Sequence, residues 1–117
     1  MSYIDGFVIA AETARRGAFI DHAEHMDALF LEFGATRVVE CWADDVPEGA
    51  VTSFPRAVQL GEGEAVVFSW IEWPDKATRD AGMAKAMADP RMAAEPMPFD
   101  GKRMIFGGFT PVVVLER

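Results

Sequence analysis

One cysteine, Cys41, stands alone in a chain of 117 residues, so no internal disulfide can form. That fits a reducing compartment, and a cytoplasmic protein is expected. Histidine is nearly as rare. His22 and His25 are the only two, short of the three or four ligands a zinc site takes, so no metal is expected. Basic residues are sparse and scattered, 11 Lys+Arg against 19 Asp+Glu for a net charge of −8. Phosphate contact needs clustered cations, so no nucleic-acid partner is expected. No charge-free run approaches the length of a membrane span, which argues against a membrane partner. The first residues, Met1 to Gly6, lack a basic segment followed by an apolar one, so no secretion signal is expected. No HExxH, CxxC, GxSxG or Walker pattern occurs. That removes zinc peptidases, redox pairs, serine hydrolases and P-loop enzymes, and no cofactor is expected.

What remains is rich in core-forming side chains: half of all residues are hydrophobic, with nine Phe, three Trp and seven Met. No repeat or low-complexity linker divides them, so residues 1–117 read as a single domain. Residues 3–11 carry the aromatic and β-branched types of a strand, and Thr13 is placed to cap the helix that follows. Along that helix Phe19, Met26, Phe30 and Phe33 share a face at about 100° per residue, and Gly34 stops it. Residues 35–43 form a second strand. The excursion from Asp44 to Gly63 contains a short edge strand, Phe54 to Leu60. Glu64 to Trp73 is apolar on both faces, as a strand covered on both sides would be. Asp75 caps a helix to about Ala88, ended by Asp89-Pro90, with Ala77, Ala81, Ala84 and Ala88 as its close-packing stripe and Met83 and Met87 on the flank. Pro90 to Asp100 is irregular and apolar, suited to a lid. A last strand runs from Lys102 to about Leu115 with a bulge at Gly107-Gly108.

The order β-α-β-β-α-β defines an α+β, ferredoxin-like fold: a four-stranded antiparallel sheet with two helices on one face. Strands 1, 3 and 4 offer bulky apolar residues to both sides, and helices cover only one. A bare second face would exceed the apolar patch of several hundred Å² that soluble monomers usually show, so a homodimer closing face to face as a dimeric α+β barrel is expected.

The runs Val38 to Pro47, Val67 to Pro74, Arg79-Asp80-Ala81-Gly82, Asp89-Pro90-Arg91-Met92 and Met97 to Ile105 closely resemble the bacterial YbaA-like family, domain of unknown function 1428. The likeness spans nearly the whole chain. It implies a dimeric α+β barrel, the architecture of antibiotic-biosynthesis-type monooxygenases and haem-degrading enzymes, and it implies no established reaction.

Few residues carry chemistry. His22 falls inside the apolar face of the first helix and His25 at its margin; His22 serves as a general base facing a cavity or as a core imidazole. Glu40 shares a strand face with Trp42, and Glu72 with Trp70. A carboxylate against indole in a closed interior has a raised pKa and can act as a base or hold a ligand; near a strand end it pairs with Arg37 or Arg103. Cys41, flanked by Val39 and Ala43, reads as core. Asp100 and Arg103 at a turn either grip an anionic group or pair off. The leading expectation is a small apolar or aromatic ligand between sheet and helices. Trp42, Phe68, Trp70 and Met104 would form the wall, with Glu40, Glu72 or His22 orienting the ligand, as in a cofactor-independent oxygenase or isomerase. The alternative is a non-catalytic homodimeric interaction or stress-related module whose interior simply packs.

Overall fold

A computed structural model describes residues 2–117. Strand β1 (Tyr3–Glu12) leads through a 3₁₀ turn (Thr13–Arg15) into helix α1 (Arg16–Glu32), followed by β2 (Arg37–Trp42). A one-turn helix α2 (Phe54–Ala57) sits in the excursion before β3 (Glu64–Trp73). Helix α3 (Lys76–Ala88), a 3₁₀ turn (Pro90–Ala93) and β4 (Ile105–Phe109) complete the chain. The sheet is antiparallel in the order β2-β3-β1-β4, the ferredoxin-like arrangement.

Local chemistry accounts for most element ends. The Asp75 carboxylate accepts from the Thr78 amide at 2.7 Å, capping α3. After α1, Ala35 N–H reaches the Phe30 carbonyl and Gly34 N–H the Leu31 carbonyl, a Schellman ending that needs the left-handed φ of 117° at Gly34. Thr13 does not cap α1: the chain tightens into the 3₁₀ turn instead, and no side chain caps the helix. The strand expected at Phe54–Leu60 is a helical turn. Ser53 caps it by accepting from the Arg56 amide, and Pro55 occupies the first turn, where its missing N–H costs nothing. The last strand is shorter than expected and carries no bulge, since Ile105–Phe109 pairs residue for residue with Val8–Ile4. Its glycines have another cause: a Cβ on Gly108 would collide with the Tyr3 ring and the Arg79 guanidinium.

The sheet's two faces follow from register. Asp5, Phe7, Ile9 and Ala11 of β1 and Val67, Ser69, Ile71 and Trp73 of β3 face the helices. Helix α3 approaches closely, but through Gly82 and Ala86 rather than the alanine stripe, whose members face solvent. A Cβ on Gly82 would stand 2.6 Å from the Trp73 indole, so only glycine lets helix and strand meet there. On the other face, the 44–63 excursion folds back and buries Val58 against Val8, Ala10 and Val66. That face is therefore half covered, and Ile4, Phe68, Trp70, Ile105 and Phe109 remain around a shallow depression of about 690 Å³.

Asp5 is buried between the two layers. Its carboxylate accepts from Trp73 Nε1 at 2.9 Å and from Arg79 Nη2 at 2.8 Å, while the Arg79 guanidinium also lies over the Tyr3 ring. One acid thus joins β1, β3 and α3. Removing its cation would leave a charge stranded out of water, so Arg79→Met is expected to cost about 3–5 kcal/mol, read from the midpoint of urea unfolding at unchanged m-value; a loss under about 1 kcal/mol would show the pair to be no more than a surface bridge.

Candidate functional site

Between the helices and the sheet lies a partly open chamber of about 510 Å³. Its wall is largely methionine and phenylalanine: Met26 and Phe19 from α1, Met83 and Met87 from α3, and Met92, Met97, Phe99 and Met104 from the segment leading to β4. Methionine bends to fit irregular shapes, so such a wall adapts to what it encloses. The Pro90–Asp100 segment forms one side of this chamber. It is tied down where Arg91 bridges Glu32 at 2.7 Å and Asp89 at 2.8 Å, and where His25 meets Glu95 at 3.1 Å.

Apart from the Asp5–Arg79 pair, four polar side chains interrupt this lining: His22 and Asp27 from α1, Glu40 from β2 and Ser69 from β3. Glu40 and Ser69 are direct cross-strand neighbours. Burial pushes the Asp27 carboxyl up to about 8, and the nearby Glu40 charge adds to the effect. Glu40 is also raised by burial, moderated by Ser69. His22 is lowered, first by burial, against the opposing pull of Glu95, with His25 adding to the decrease. His22 is 9% exposed, and its Nδ1 is buried without a hydrogen-bond partner. At neutral pH the chamber wall thus carries both a carboxylic acid able to donate a proton and an imidazole able to accept one.

The candidates from sequence fall in three places. His22, Glu40 and Met104 line the chamber, and Trp42 packs beside it, edge-on to Phe19 at 5.8 Å with Arg16 over its ring. Phe68 and Glu72 stand on the opposite face, where Glu72 accepts from Trp70 Nε1 at 2.8 Å and from Arg37 at 3.4 Å. Trp70 lines both the chamber and the outer depression. Asp100 and Arg103 are joined to each other at 2.9 Å, and Arg103 also grips Glu64 at 2.6 Å and the Gln59 carbonyl at 2.9 Å. This clamp, which holds the Glu64 carboxyl down at about 2, closes the turn before β3 and is not part of the chamber wall. Cys41 is half-buried on the outer face, opposite Phe68. Asp27 and Ser69 escaped sequence reading. A signal existed for the first: Ala23, Asp27 and Phe30 follow the i, i+4, i+7 spacing of an inward stripe.

Residues 2–101 match the family described as "Protein of unknown function (DUF1428)", and the chain belongs to it. It is 55% identical over 115 residues to the uncharacterized protein YbaA of Escherichia coli K12, covering 97% of this chain and 98% of that one; the Shigella flexneri protein of the same name matches equally. Among solved structures, it resembles a NIPSNAP domain protein from Burkholderia xenovorans (TM-score 0.58, 15% identity, 98% and 99% of the two chains). A dimeric ferredoxin-like protein from an uncultured marine organism gives 0.56 at 14% identity, over the whole of both chains. SnoaB, a cofactor-independent oxygenase from Streptomyces nogalater, gives 0.55 at 16% identity, over 99% and 96%. These likenesses define a ferredoxin-like α+β fold, and among the described residues no helix is long and apolar enough to cross a membrane.

The raised Asp27 carboxyl has a measurable consequence. Between the ordinary carboxylate range and about pH 8 the folded chain holds a proton that the unfolded chain has lost, so this group makes stability fall as pH rises through that window. Asp27→Asn removes the fall. The variant is expected to be more stable than the parent by roughly 2–4 kcal/mol at pH 8.5, with the difference shrinking toward pH 5, as followed by thermal unfolding. Parallel curves across that range would refute the assignment.

Proposed function

We propose that the protein binds a small, mostly apolar molecule in the chamber between helices and sheet. The observation that carries this reading is the combination of an adaptable methionine-phenylalanine wall with a few polar groups, one of them, His22, buried without a partner. Small-molecule sites commonly take this form. Asp27, Glu40 and His22 equip the same chamber for proton transfer, as an isomerase-type or cofactor-independent reaction would require. An uncharged fluorophore, N-phenyl-1-naphthylamine, is expected to brighten on binding. Met83→Trp, which fills the chamber, should weaken it roughly tenfold or more, while Phe68→Asp on the opposite face should leave it unchanged. Binding that survives Met83→Trp and disappears with Phe68→Asp would place the fluorophore on the outer face and overturn the proposal.

The working unit is proposed to be a homodimer joined through that outer face. Phe68 is 44% exposed there beside Trp70, Ile105 and Phe109, an apolar group unusual on a free surface. The fold is shared with a protein solved as a dimer. Phe68→Asp would set two carboxylates against each other across a twofold axis, while the single protomer keeps the residue in water. Native mass spectrometry is expected to show dimer for the parent chain and folded monomer for the variant; a parent chain that stays monomeric at micromolar concentration would rule out this assembly.

A further inference from the structure

Most buried or half-buried acids have a cation or a ring N–H donor. Asp5 has Arg79, Glu64 has Arg103, Asp89 has Arg91, and Glu72 has Arg37 and the Trp70 indole. Asp27 and Glu40 differ. Both line the chamber, the Glu40 charge raises the cost of ionising Asp27, and among the described residues neither has an ion-pair partner. The one cation on the chamber wall, Arg79, is committed to Asp5 and Asp80. On the same chamber wall, His22 has a buried Nδ1 with no hydrogen-bond partner.

From these positions we infer that the chamber selects a cationic ligand: an apolar or aromatic body carrying a protonated amine, its N–H groups donating to Asp27, Glu40 and His22. The inference rests on the chamber being a binding site, as proposed above, and adds the ligand's charge. An ammonium supplies the positive charge the two carboxyls lack and donors for all three acceptors, whereas an anion would meet two acids and no free cation. The aromatic and methionine lining suits the apolar body and, through ring faces, the cation itself. Burial keeps His22 neutral and therefore able to accept.

The titratable or charged groups around the site are His22 and Asp27 from α1, Glu40 from β2, Asp5 from β1, Arg79 from α3, and, acting on His22 from the rim, His25 and Glu95. Asp5 and Arg79 neutralise each other. Asp27 and Glu40 are thus the groups whose ionisation governs cation binding.

The test compares 2-phenylethylamine with the near-isosteric alcohol 2-phenylethanol by isothermal titration calorimetry. At pH 7.5 the amine is expected to bind at least tenfold tighter, with proton release seen as a dependence of the heat on buffer ionisation enthalpy. The Asp27→Asn, Glu40→Gln double variant, its folding checked by circular dichroism, should abolish the preference. A measurement on the parent chain alone covers a misfolded variant: the amine-to-alcohol affinity ratio should rise from pH 6 to pH 8.5 as Asp27 ionises. Equal affinities, a ratio flat in pH, or a preference that persists in a folded double variant would overturn the inference. If the uncharged fluorophore binds in the chamber and the amine does not, the cation inference fails and the binding site stands; if neither binds, both fail.

Discussion

The buried carboxylate of Asp5 is the constraint around which the two layers of the molecule are arranged. It sits on the helix-facing side of a central strand, where an unpaired charge would be prohibitive, and so it dictates what surrounds it. The Trp73 indole and the Arg79 guanidinium both turn inward to meet it. Trp73 in turn requires glycine at position 82, and Arg79 with Tyr3 requires glycine at position 108. One polar knot thus sets the distance of α3 from the sheet and the side-chain size allowed on β4. The chamber is the space left farther along the same face, where α3 ends in Met83 and Met87 rather than in a second polar anchor.

The periodic parts of this architecture were readable from sequence. β3 and α3 lie where a run apolar on both faces, Asp75 and Asp89-Pro90 put them, and the β-α-β-β-α-β order carried the fold class with it. Misreadings came where a local rule competed with a contact made from far along the chain. The alanines of α3 look like a packing stripe, but the helix is rotated by Arg79 reaching Asp5 and by Gly82 seating on Trp73, which turns Gly82 and Ala86 inward instead. Gly107-Gly108 looks like a bulge because glycine in a strand usually marks one, yet the pairing there is unbroken and Gly108 sits where Tyr3 and Arg79 crowd the strand. Phe54 to Leu60 alternates well enough for a strand, and Ser53 followed by Pro55 turns it into a helical start.

The site was less readable than the fold for a related reason. Strand parity correctly groups Glu40 with Trp42 and Glu72 with Trp70, but it cannot say which group faces the helices. That assignment depends on the whole sheet, and it separates the two glutamates: Glu40 lies inside with a raised pKa, while Glu72 lies outside, held by Trp70 and Arg37. Asp27 was harder still. An aspartate in a helix is ordinarily a solvent-facing residue, and only the inward rotation that buries His22, Ala23 and Met26 carries it to the chamber wall.

The contrast between the two buried acid sites bears on what the chamber is for. Asp5 is satisfied on every side and contributes to cohesion. Asp27, on helix α1 over the same face of the sheet, is left without a cation and near another carboxyl, an arrangement that weakens the fold as pH rises toward 8. An asparagine or leucine at that position would be the more stable choice on packing grounds alone. Local choices that oppose stability, in a molecule where Asp5, Glu64, Glu72 and Asp89 are each matched to a cation, are characteristic of positions shaped by binding or reaction rather than by folding. The unpartnered His22 nitrogen follows the same logic, since a core imidazole serving only to pack would be expected to find a partner for its buried nitrogen.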